Sequence, residues 1–188
     1  MNEVVLEVKK RETGKKNSKS VRNQGFVPGV FYAKGSENLS IYAKKIDLRP
    51  IVYTAQTKIV DLHVEGNNQK FQCILKDIQI DPVSDLIVHF DLQGLIAGQK
   101  ITVELPIKLV GQPVGVRQGG KLMPVMHKIK VKVLPKDLVE FIEANITQLN
   151  MGDSLYLKDL NMENLETDMN PDAVVVSVVK PRGTVATD

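Results

Sequence analysis

The chain has 188 residues, of which 43% are hydrophobic and 25% charged, and carries a formal net charge of +3. These are the proportions of a globular protein with room for one large domain or two small ones. There is no run of about 18 apolar residues, which excludes a membrane-spanning helix. Met1-Asn2-Glu3 opens no positively charged and then apolar secretory signal, so a cytosolic location is expected.

Val4–Val8 reads as an opening strand, rich in β-branched residues. From Lys9 to Gly25 only Val21 is a substantial apolar residue, so a long basic loop is expected, with at most a short helix over Ser18–Asn23. Pro28–Tyr32 resumes strand character and pairs as a hairpin with Leu39–Ala43 across Lys34–Asn38. Asp47 has the chemistry of a helix N-cap, with Pro50 in the first turn and Leu48, Ile51, Val52 and Ala55 at helical spacing. The expected helix therefore runs from Asp47 to Ala55. Lys58–Glu65, a Gly66-Asn67-Asn68 turn and Lys70–Ile80 form a strand–turn–strand signal. Asp81-Pro82 breaks the run, and Leu86–Leu92 forms a further strand. Six strands and one helix imply a small β-barrel or rolled sheet.

Gly94–Lys100 reads as a boundary, followed by strands at Ile101–Val110, Ile129–Leu134, Glu140–Ile146 and Ala173–Val179, with a turn or short helix at Leu155–Leu160. The expected fold class is mainly β: an N-terminal small β-barrel with a short helix over residues 1–94, a second β-rich domain over 95–182 and a flexible tail over 183–188.

Charge is distributed unevenly along this organisation. Lys9, Lys10, Arg11, Lys15, Lys16, Lys19 and Arg22 stand against Glu12 alone. Between Glu140 and Asp172, Lys158 alone stands against a series of carboxylates. A basic head and an acidic second half suggest that the head meets a polyanion. Lysine and arginine neutralise phosphates and release counterions, and arginine also forks onto phosphates or guanine edges. An ordinary solvated lysine loop fits the same residues. Lys128, Lys130 and Lys132 alternate with Ile129, Val131 and Val133, which reads either as the solvated face of a strand or as a second RNA contact.

Catalytic and metal motifs are not supported. Gly115–Lys121 fits the first seven positions of a phosphate-binding loop, but Leu122 stands where Ser or Thr must hold magnesium. A tight glycine turn is the expected alternative. His63, His89 and His127 lack a second ligand at helical spacing, so no metal site is expected. Cys73 alternates with Phe71 and Leu75 and reads as a buried small hydrophobe. His89 and Asp91, two apart on a strand, share one face. They read as a surface polar pair or as a ligand contact, and no nucleophile accompanies them to make a catalytic set.

The segments Ser18-x-x-x-Arg22-x-x-Gly25-x-Val27-Pro28-Gly29-Val30-x-Tyr32, Asp81-Pro82 and His89-Phe90-Asp91 resemble the bacterial large-subunit ribosomal protein L twenty-five family. The likeness continues through Val103-x-Leu105-Pro106-Ile107, Gly111-x-Pro113-x-Gly115-Val116-Arg117-x-Gly119-Gly120 and Gly152-Asp153-Ser154-Leu155, which resemble its long, two-domain general stress protein Ctc type. The resemblance implies a non-enzymatic component of the large ribosomal subunit, without cofactor, metal or small-molecule substrate. Its N-terminal barrel would bind 5S rRNA at the irregular loop E. The RNA contacts it implies are Arg11, Lys16, Lys19, Arg22, Tyr32, Lys76, His89 and Asp91. The family's first arginine falls on Lys10 or Arg11, and Arg11 is taken. Neighbouring large-subunit proteins or 23S rRNA are further partners it implies, with the chain a monomer within the ribosome. A general stress-related RNA-binding protein or RNA chaperone without strict 5S specificity is the alternative, disfavoured by an aromatic content of only 5% and no Trp.

Overall fold

A computed structural model describes residues 4–35, 37–54, 56–66 and 70–180. The expected turn residues Ser36, Asn67 and Asn68, the helix end at Ala55 and the tail 183–188 lie outside the described residues. The chain divides into two compact units. The first runs to Ile101 and takes in Leu134–Lys136; the second comprises Thr102–Val133 and the chain from Asp137.

The first unit contains β1 (Val4–Lys10), α1 (Lys15–Asn23), β2 (Phe26–Tyr32), β3 (Leu39–Lys44), α2 (Lys45–Val52), β4 (Ile59–Val64), β5 (Lys70–Ile80) and β6 (Ile87–Gly94). The six strands close a barrel in the order β1-β3-β2-β6-β5-β4. Two parallel pairings, β1 with β4 and β2 with β6, join the antiparallel hairpins. The expected β2–β3 hairpin forms, with Gly29 opposite Ile41. Period-two alternation sends Leu6, Val8, Val27, Phe31, Ile41, Val60, Leu62, Phe90 and Leu92 into the core, each at most 2% exposed. Burying side chains of this size contributes about 1.5–3 kcal/mol each. Cys73 lies fully buried among them, as its alternation indicated, and burial pushes its thiol up to about 12.

Two expectations about helices are corrected. The basic segment is not mainly loop: α1 occupies Lys15–Asn23. The second helix spans Lys45–Val52 rather than Asp47–Ala55. Lys44 is its N-cap, Asp47 lies in its first turn, and Pro50 lies inside it. Pro50 cannot donate to the Ile46 carbonyl one turn earlier, so the helix is weakened there and ends two residues on. It is held by packing instead, since Leu48 and Ile51 enter the barrel core.

The second unit contains β7 (Ile101–Val110, its first residue belonging to the first unit), the four-residue α3 (Val114–Arg117), β8 (Lys121–Pro124), β9 (Lys128–Val133), β10 (Ile142–Asn145), β11 (Ser154–Tyr156) and β12 (Val174–Val179). They form two three-stranded sheets, β10-β7-β9 and β11-β12-β8. β10 is shorter than the expected Glu140–Ile146, and β8 and β11 were not expected. A 3-10 turn at Leu157–Asp159 lies inside the expected Leu155–Leu160 turn. Ile129, Val131 and Val133 are buried, while Lys128 and Lys130 are exposed on the other face. The glycine segment is a close backbone crossing rather than a phosphate loop. A Cβ on Gly115 would lie 2.5 Å from the Met151 backbone nitrogen, and one on Gly120 would lie 2.7 Å from the Gly115 carbonyl oxygen.

Candidate nucleic-acid interface

α1 has a poor helical sequence. Its N-cap, Gly14, provides no side-chain cap, and no acidic residue lies in the first turn. Lys16 instead brings positive charge to the positive end of the helix dipole. The helix is held from outside. Arg11 donates from Nε to the Ile41 carbonyl at 3.1 Å and from a terminal nitrogen to Ser18 Oγ at 3.2 Å. Ser18 Oγ donates in turn to the Gly14 carbonyl at 3.1 Å. At the other end, Arg22 donates from Nε to the Val88 carbonyl at 3.1 Å. α1 packs on β2, with Val21 half-buried and Lys16, Lys19 and Arg22 on its exposed side.

The Arg22–Val88 bond ties the basic helix to β6, the strand that carries His89 and Asp91. His89, Asp91 and Gln93 alternate with the buried Phe90, Leu92 and Gly94, so all three lie on the outer face. His89 Nδ1 lies 2.9 Å from Asp91 Oδ1, a close polar approach without the alignment of a hydrogen bond. Parallel register sets Val30 beside Asp91 and Tyr32 beside Gln93. Burial raises the Tyr32 hydroxyl pKa, and the negative charges of Asp91 and Asp77 raise it further. That phenol stays protonated and can donate. Burial lowers the Arg11 pKa, with a further contribution from the charge of Arg22, so the two guanidiniums feel one another.

The predicted residues thus fall into four groups. Arg22, Tyr32, His89 and Asp91 come together over α1, β2 and β6. Lys16 and Lys19 line the outer side of α1. Arg11 is largely engaged in holding α1 in place, a role its sequence position did not reveal. Lys76 is the inserted residue of a bulge in β5, between the Leu75–Leu92 and Asp77–Asp91 pairs, with its side chain exposed. The β5–β6 register also brings Gln79 opposite His89 and Asp77 opposite Asp91. Sequence reading missed both, because only the register across two strands brings them to the site. The face combines fork-shaped cations, a protonated phenol, an imidazole and carbonyl or carboxylate acceptors. Such a set can grip phosphates and read amino and hydroxyl donors at once. Among the described residues no cluster of three or more His, Cys, Asp or Glu is arranged to hold a metal.

Residues 6–92 match the family model of the ribosomal L25p family, and residues 100–182 match that of the C-terminal domain of ribosomal protein TL5. The large ribosomal subunit protein bL25 of Chloroherpeton thalassium is 36% identical over 188 residues, covering 97% of this chain and 94% of the relative. The chain belongs to the ribosomal L25p family. The bL25 of Pelodictyon phaeoclathratiforme is 34% identical, covering 95% of this chain and 91% of the relative. That of Chlorobium phaeovibrioides is also 34% identical, over 100% of this chain and 94% of its own length. Likeness to bL25 proteins therefore runs through both halves of the chain. The L25p match contains the whole Arg11–Asp91 constellation, and the TL5 match contains the glycine crossing at Gly115–Gly120.

Proposed function

We propose that this chain is a structural, non-enzymatic component of the large ribosomal subunit and docks on 5S rRNA, at loop E, through the α1–β2–β6 face of its barrel. The relatives are named as large ribosomal subunit proteins, which supports the ribosomal role. The observation that carries the RNA face is the Arg22–Val88 hydrogen bond. It joins the basic helix to the His89–Asp91 strand, so cations and base-reading groups form one rigid surface. Non-Watson–Crick loops widen RNA grooves and expose base edges and 2′-hydroxyls that a regular A-form helix hides. Arg22, Lys16 and Lys19 supply phosphate contacts. The Tyr32 hydroxyl donates, and Asp91 accepts from a base amino group.

The test is a filter-binding titration of intact 5S rRNA against a loop-E-disrupted variant, at two salt concentrations. The expected outcome is tight binding to the intact RNA only, weakened by salt and by Arg22→Ala/His89→Ala. Equal binding to both RNAs removes the 5S assignment in favour of a loosely specific RNA binder.

A further inference from the structure

The outer face of β6 does not stop at Asp91. Gln93, two residues on, points the same way beside Tyr32, and beyond it lies a polar cleft of about 220 Å³. Lys34, Gln93, Gln99 and Lys100 line it, with Gly94 and Ile96 contributing to its walls. Its frame is fixed. Leu95 N–H donates to the Gln72 carbonyl at 2.8 Å, and Gln99 N–H to the Ile96 carbonyl at 3.2 Å. At Gly94 a Cβ would lie 2.7 Å from Ala33 Cβ and 3.0 Å from the Phe31 ring, so β6 and the end of β2 approach closely only because that side chain is missing. Within this frame Gln93 Oε1 is buried and, among the described residues, has no hydrogen-bond donor. Buried acceptors are rarely left in that state, and one beside a cationic cleft calls for a ligand that brings its own donor.

We propose that this cleft is a subsite for one further nucleotide of the bound RNA strand, beyond the one at Tyr32 and His89–Asp91. The Gln93 amide turns to accept from the nucleotide's 2′-hydroxyl, and Lys34 faces its phosphate. The proposal rests on the RNA-interface reading and adds a discriminating contact to it, since the 2′-hydroxyl is the group that tells RNA from DNA.

The experiment measures binding of full-length wild type, Gln93→Leu and Lys34→Ala to 5S rRNA and to a series of RNAs carrying single 2′-deoxy substitutions. Thermal unfolding of each protein serves as the folding check. Expected is one deoxy position at which wild type loses roughly three- to tenfold in affinity, the scale of one hydrogen bond, and at which Gln93→Leu loses nothing further. Lys34→Ala should lower the slope of log affinity against log salt by about 0.7 to 0.9, one phosphate's worth. If wild type binds and Arg22→Ala/His89→Ala weakens it, while neither cleft variant changes affinity, salt slope or the deoxy profile, the subsite is overturned and the interface stands. If wild type does not bind 5S rRNA, the interface reading falls and takes the subsite with it.

Discussion

Arg22 on α1 donates from Nε to the carbonyl oxygen of Val88 at 3.1 Å, one residue before His89. One side chain thus positions a helix against a strand and still presents its terminal guanidinium nitrogens outward. Arg22→Ala should weaken RNA binding at least about tenfold, the scale of a charge-assisted contact, and flatten the salt dependence by about one phosphate contact. Arg22→Lys should recover only part of this, because an ammonium cannot bond Val88 and fork onto a phosphate together. Filter binding across a salt series measures both effects, and full recovery by lysine would contradict the two-part role.

Arg11 should matter more for folding than for recognition. Its guanidinium joins the Ile41 carbonyl, the Ser18 hydroxyl and, at 3.4 Å, the Glu12 carbonyl. Arg11→Ala removes the part-buried bonds and should cost about 1–3 kcal/mol in urea unfolding, with a visible loss of helical circular dichroism as α1 frays. Unchanged stability would mean that its β2 packing and the Arg22–Val88 bond hold α1 without Arg11.

Cys73 should be chemically silent in the folded protein. Burial raises its thiol to about 12, well above the ordinary value, so the neutral form is favoured in the folded state. The folded chain therefore binds more protons than the unfolded one between the unfolded thiol's pKa and about 12. Stability attributable to this group is complete below that window and is lost as pH rises through it. A thiol reagent at pH near 8 should label Cys73 only after denaturant is added. Rapid labelling of the native protein would show that the barrel opens there.

Tyr32 should act through its hydroxyl. Burial and the nearby carboxylates of Asp91 and Asp77 keep it protonated well past neutral pH. Tyr32→Phe preserves the ring and should reduce RNA affinity several-fold, roughly the net worth of one hydrogen bond. Barrel stability should stay nearly the same, because no hydrogen bond within the protein depends on that oxygen among the described residues. Unchanged affinity for Tyr32→Phe beside a loss for Tyr32→Ala would assign the whole effect to the ring, through stacking.

Much of the first unit was legible in the sequence because barrel strands bury one face. The alternation of Leu6 and Val8, of Val60, Leu62 and Val64, and of Phe90 and Leu92 marks strands that the structure contains. α1 was not legible as a full helix, since its stability comes from Arg11 and Arg22 reaching distant carbonyls rather than from its own composition. The α2 boundaries shifted because the Leu48 and Ile51 packing outweighs the capping preference of Asp47 and the cost of Pro50. β8 ends in a proline and β11 has only three residues, so neither carries a period to read. At the site, His89 and Asp91 announced themselves by spacing. Gln79 and Gln93 did not, because their place depends on the β5–β6 and β2–β6 registers.

Docking of RNA on the α1–β2–β6 face is tested most directly by nuclear magnetic resonance of the isotopically labelled full chain titrated with a 5S rRNA loop E fragment. Amide shift changes are expected to concentrate at Lys19, Arg22, Tyr32, His89 and Asp91, with β9 and β12 unmoved. Changes confined to the second unit, or equal changes with a regular duplex of the same length, would contradict it.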